Sequence, residues 1–97
     1  MTAPGTAGET IVLPERLDMA AAIRLRDDLL ARAGDLALDA SAVVHVTTPG
    51  LQILMAARDH QGAQDRALAI TAPSSGFLDA IGTLGVSLDR LRTGGPV

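Results

Sequence analysis

Apolar and polar positions change their period several times along the chain. Thr10 to Leu13 (TIVL) is a β-branched run stopped by Pro14, the pattern of a short strand. From Asp18 the spacing becomes helical. Ala22, Leu25, Leu29 and Ala33 share one face while Arg24, Asp27, Asp28 and Arg32 fall on others, which predicts an amphipathic helix capped by Asp18 and stopped by Gly34. Leu36 to Asp39 (LALD) reads as a second strand, followed by a connection through Ser41 to Val46. Thr48 and Pro49 then open a second helix as N-cap and first helical residue, with Leu51, Leu54, Met55 and Arg58 along one stripe and an end near Gly62. Ala67 to Ile70 (ALAI) predicts a third strand. Pro73, Ser74 and Ser75 introduce a third helix whose stripe is Phe77, Leu78, Ile81 and Leu84, stopped by Gly85. Val86 to Leu91 predicts a last short strand or helical turn.

Strands alternating with helices imply parallel strands joined by right-handed crossovers, so the fold class is α/β. A chain of 97 residues builds one core. The expected domain spans residues 9–92, with a small mixed or parallel sheet of about four strands packed by three to four helices. So few helices cover one sheet face only, leaving the other exposed or covered by a partner. Residues 1–8 and 93–97 are rich in Gly, Pro and small side chains and are expected to be flexible ends. The opening MTAPGTAG has neither the basic nor the apolar region of a signal peptide, and no apolar run approaches the roughly 18 residues of a membrane span.

Composition narrows the chemistry. Phe77 is the only aromatic residue, so base-stacking and sugar-stacking platforms are not expected. All eight basic residues are arginine, the net charge is -3, and no basic cluster suggests a nucleic-acid surface. The absence of lysine removes Schiff-base and P-loop chemistry, and the absence of cysteine removes disulfides, thiolate nucleophiles and thiolate metal ligands. A small domain without staples fits a reducing cytoplasm.

Candidate catalytic groups are sparse. His45 and His60, 15 residues apart, match no zinc spacing, and no carboxylate is placed by sequence to orient His45 as a base. Asp27 and Asp28 read as a solvated helix face, and Glu15 and Asp18 suit the positive end of a helix dipole. APSSGF (Ala72 to Phe77) reads as a helix cap rather than a phosphate cradle, having one glycine and no lysine. HVTTPG (His45 to Gly50) differs, because it places two adjacent hydroxyls at a helix entry. A phosphate on Thr48 would meet the roughly half positive charge of the helix N-terminus and would itself add about two negative charges.

LDASAVVHVTTPGLQILMAA (Leu38 to Ala57) resembles the signature of the STAS family, the sulfate-transporter and anti-sigma-factor-antagonist domain. Asp39, Ser41, Thr48, Gly50 and Leu51 fall on matching positions without a gap. LPERLDM (Leu13 to Met19) is similar to the family's first-strand exit, and LAITAPSSGFLDAIGTLGV (Leu68 to Val86) to its later strand and helix. The resemblance covers roughly residues 9–91. Thr47 stands where the family usually has aspartate, Pro49 where it has a small Ser or Ala, and Glu15 where it has glycine.

In antagonist members the residue matching Thr48 is phosphorylated by a partner anti-sigma kinase. The unphosphorylated antagonist binds the kinase and frees the sigma factor, and phosphorylation breaks that complex. The resemblance therefore implies a non-enzymatic, cytoplasmic, bacterial regulator without cofactor or metal, for which the arginine-only, alanine-rich composition suits a GC-rich genome. It would dock a protein partner, an anti-sigma kinase or a chemotaxis component, through Asp18, Ser41, His45, Thr47, Thr48, Pro49, Gly50 and Gln52. Thr48 is the phosphorylation candidate and Thr47 the second choice. Nucleic-acid binding and direct membrane insertion are not implied. The alternative is a cytoplasmic subunit of a phospholipid-transport ABC complex, gripping its ATPase with the same helix.

Overall fold

The computed structural model describes residues 9–92. In chain order the elements are β1 (Glu9–Val12), β2 (Arg16–Leu17), α1 (Met19–Leu30), β3 (Leu36–Asp39), β4 (His45–Val46), α2 (Thr48–Ala63), β5 (Leu68–Thr71) and α3 (Ser75–Thr83), closed by a 3-10 turn at Leu88–Leu91. The architecture is the expected α/β arrangement. Every strand pairing is parallel, but the strands form two ladders rather than one sheet of four. The main sheet has the order β1-β3-β5, and β2 pairs with β4 in a separate two-stranded ladder. The sequence pattern missed β2 and β4 because two-residue strands carry no periodicity.

Alternation along the main strands decides which face is covered. Ile11, Leu36, Leu38, Leu68 and Ile70 are buried in one core with Leu25 and Leu29 of α1, Leu51 and Leu54 of α2, and Phe77 and Ile81 of α3. The opposite face carries Thr10, Val12, Ala69 and Thr71, all exposed, with Ala37 and Asp39 half-buried between them. The sheet is therefore open on one side among the described residues, as a chain with three helices requires.

Several boundaries depart from the sequence pattern. Helix α1 ends at Leu30, and Ala33 lies outside it and exposed. The chain must turn there to bring Asp35 beside Glu9, whose amide donates to the Asp35 carbonyl at 3.2 Å, and Gly34 makes that turn with φ +92°. Arg32 bonds Asp28 of α1 and Glu9 of β1, at 2.9 and 2.7 Å. In α3, only Phe77 and Ile81 of the expected stripe are buried, while Leu78 and Leu84 face solvent. A helix of nine residues at the margin of the core has one row to bury. On α2, Leu51 and Leu54 are buried and Met55 packs against the core. Arg58 is half-buried, with Nε enclosed without a partner among the described residues and the guanidinium reaching Asp59 at 3.0 Å.

Gln61 is the buried polar residue of the interior. Its amide nitrogen donates to the carbonyls of Gly34 at 2.9 Å and Ala67 at 3.0 Å, tying the last turn of α2 to the entries of β3 and β5. The Asp35 carboxylate accepts the Ala67 amide at 2.8 Å beside it. Through Gln61 the Gly34 carbonyl gains a side-chain partner, and the Ala67 carbonyl, which already accepts the Leu36 amide at 3.0 Å, gains a second donor.

Candidate functional site

The hydroxyl-bearing turn is held by the small β2–β4 ladder, in which Arg16 faces His45 and Leu17 faces Val46. The carbonyl of Glu15 accepts the amides of Val44 and His45, at 2.8 and 3.0 Å. One step further, the carbonyl of Leu17 accepts both the amide of Thr47 at 3.0 Å and its hydroxyl at 3.1 Å. The strand exit before α1 thereby fixes the residue that starts α2.

That residue corrects the sequence reading. The N-cap of α2 is Thr47, not Thr48: its backbone is extended, and its hydroxyl accepts the Gly50 amide at 3.4 Å while the Leu51 amide meets its carbonyl at 2.9 Å. Pro49 is consequently the second helical residue. The shift of one position follows from the Leu17 carbonyl, which holds Thr47 in the extended geometry a cap requires. Thr48 is the first helical residue, exposed, and its hydroxyl makes no hydrogen bond among the described residues. The two adjacent threonines have separate tasks: one closes the helix and the other faces solvent.

Gly50 is buried for a steric reason. A Cβ there would overlap the carbonyl oxygen of Leu17 and approach its carbonyl carbon and Cγ at 3.0 Å. A close passage of α2 over β2 thus depends on the missing side chain.

The other sequence-predicted residues divide between this turn and a neighbouring one. Asp18 caps α1, accepting the Ala21 amide at 3.0 Å, directly after Leu17. His45 is exposed on β4, Pro49 is half-buried, and Gln52 is exposed one turn into α2. Ser41 lies at the exit of β3 instead, in a turn organised by Asp39, whose carboxylate accepts the Ser41 amide at 2.9 Å. That bond, followed by one with the Ser41 side chain, holds the Asp39 carboxyl below its ordinary value. The Ser41 turn abuts α3 rather than α2: the Ser74 amide meets the Ala40 carbonyl, and the Ser74 hydroxyl caps α3 through the Phe77 amide at 3.0 Å. The structure therefore gathers Asp18, His45, Thr47, Thr48, Pro49, Gly50 and Gln52 around one helix start, with Ser41 set apart on the next loop.

Sequence reasoning missed the surface that adjoins this turn. Met19 and Ile23 of α1 are exposed, and with Pro49 and Ile53 of α2 they line an open cavity of about 310 Å³. Their spacing of four was legible as a second apolar row on α1, but the row packed on the sheet explained the helix without it. Among the described residues, no group of three His, Cys, Asp or Glu side chains comes together, and no helix is long and apolar enough to cross a membrane.

No curated protein and no solved structure matches the chain. A family model does, described as "Mlab, STAS domain", over residues 3–92. This match takes in both ladders, all three helices and the Thr47–Thr48 turn, in the parallel α/β arrangement that the resemblance implied, and the chain belongs to the STAS-domain family.

Proposed function

We propose that this STAS domain is a non-enzymatic regulatory module of the anti-sigma-factor-antagonist type, which docks a signalling partner at the start of α2 and is switched by phosphorylation of Thr48. The observation that carries this reading is the division of labour between the two threonines. The Thr47 hydroxyl is occupied by the Leu17 carbonyl and the Gly50 amide, whereas the Thr48 hydroxyl is exposed and uncommitted. A kinase can modify Thr48 without uncapping α2.

The surroundings also suggest how a phosphate there would act. Pro49 has no amide proton to offer, and the Gly50 amide is already directed at Thr47. The phosphate would be favoured by the helix dipole but not folded into a ring of amides, so its charge would point outward at the partner. Docking would fail by repulsion and desolvation at the contact, while the domain itself would stay as it is.

In this reading the partner is a cytoplasmic anti-sigma kinase or a chemotaxis component. The test is incubation with a cognate kinase and ATP, followed by mass analysis of the peptide carrying Thr48. The expected result is one phosphate on Thr48 and none on Thr47, with the partner complex lost in Thr48→Glu. An unmodified Thr48, together with unchanged binding by Thr48→Glu, would reject the switch.

The alternative, a subunit of a phospholipid-transport ABC complex, draws on Pro49. A helix start whose second residue lacks an amide suits docking that never needs a phosphate. Co-purification with an ATP-binding subunit, unaffected by Thr48→Glu, would favour this alternative.

A further inference from the structure

Helices α1 and α2 each cross between parallel strands and so run in the same direction, and their solvent sides are in step. Met19, Ile23, Pro49 and Ile53 border one cavity of about 310 Å³, and Leu30, Ile53 and His60 a second of about 90 Å³ that shares Arg26 with it. Met19, Ile23 and Leu30 are 58%, 47% and 65% exposed, although the same helix already buries another apolar row. Spacings of four and seven put these three on one stripe, and two parallel helices leave a groove between their ridges. Exposed apolar surface of this shape is the usual mark of a binding site.

Charge identifies the occupant. Arg26 borders both cavities and His60 the second, and among the described residues no carboxylate borders either, although the chain as a whole carries a net charge of -3. The Arg26 guanidinium meets only the adjacent, exposed Asp27 carboxylate, at 3.3 Å, a surface pair of the kind that holds its members weakly. A second copy of this chain would set the same cationic edge against itself across a two-fold axis. We infer that the α1–α2 groove receives an amphipathic α-helix of a protein partner, with an apolar stripe seated between Ile23 and Ile53 and carboxylates directed at Arg26. This rests on the reading of the domain as a docking module, but it needs neither the Thr48 hydroxyl nor a phosphate.

The test uses two synthetic helix-forming peptides of about four turns, with leucines at the i, i+3/i+4, i+7 spacing of one helix face. One peptide is edged with glutamates and the other with lysines. Each is titrated into the isotope-labelled full chain and followed by amide NMR. The glutamate peptide is expected to perturb residues along Met19 to Leu30 and Pro49 to His60 and to bind about tenfold more tightly than the lysine peptide, the factor that corresponds to about 1.4 kcal/mol. Arg26→Glu is expected to reverse the preference, and Ile23→Asp to abolish both complexes. Both positions are exposed, so these variants keep the fold, which the spectrum itself reports. No perturbation, equal binding of the two peptides, or self-association that Ile23→Asp removes would overturn the inference. Peptide binding together with a Thr48 that stays unmodified under kinase and ATP would reject the switch alone, and phosphorylation of Thr48 without any peptide binding would reject the groove alone.

Discussion

The hydroxyl of Thr47 donates to the carbonyl of Leu17 at 3.1 Å, across 30 residues of sequence, and this bond fixes where α2 begins. It lies at the junction of the β2–β4 ladder with both helices, since Asp18, the cap of α1, follows Leu17 directly. The same junction leaves the neighbouring Thr48 hydroxyl facing solvent. The helix cap and the solvent-facing hydroxyl are therefore different side chains one residue apart, which makes them separable by mutation.

Removing the cap should cost stability and removing the exposed hydroxyl should not. Thr47→Ala is expected to destabilise the domain by about 1 kcal/mol, whereas Thr48→Ala should stay within about 0.5 kcal/mol of the parent. Urea denaturation of both variants measures the difference. A larger loss in Thr48→Ala than in Thr47→Ala would return the cap to Thr48.

Gly50 tests the close passage over Leu17. In Gly50→Ala the new Cβ must displace the backbone carbonyl of Leu17 rather than a flexible side chain. A cost of about 1–3 kcal/mol or more is expected, as for overpacking in a tight core. Hydrogen exchange should show the loss first at the Thr47 amide, which bonds the same carbonyl.

Gln61→Leu keeps most of the side-chain volume but leaves the Gly34 carbonyl without a partner among the described residues, while the Ala67 carbonyl keeps the Leu36 amide. A destabilisation of about 1–3 kcal/mol is expected, the usual range for stranding buried polar groups. Thermal unfolding monitored by circular dichroism would register it. A neutral outcome would mean that water reaches the Gly34 carbonyl.

The Asp39 carboxyl is held below its ordinary value, first by the Ser41 amide and then by the Ser41 side chain. The folded state therefore binds its proton less readily than the unfolded chain does. Its stabilising contribution is present above the ordinary carboxylate value of about 3.9 and is lost as the pH falls through the lowered folded value. An NMR titration of the side-chain carbon should give a midpoint below that of a free aspartate. Ser41→Ala should bring it only part of the way back, because the larger, backbone contribution remains.

Much of this architecture was readable from the pattern of residues. Leu36 and Leu38, alternating with Ala37 and Asp39, and Leu25 and Leu29, four apart, announce a strand and a helix before any contact is known. The Asp39–Ser41 and Thr48–Gly50–Leu51 spacing pointed to the STAS family, and the family match bears that out. Gln61 was not legible, because a glutamine on a helix looks like a surface residue until two distant turns are brought to it.

The sequence by itself determined the α/β class and the family, because these rest on local periodicity and on residues close together in the chain. The tertiary structure alone decided which threonine caps α2, because the deciding atom is the carbonyl of Leu17, and a backbone carbonyl has no signature in sequence. It also decided that Met19, Ile23 and Leu30 face solvent beside Ile53, since which of two apolar rows on a helix is buried depends on where the sheet lies.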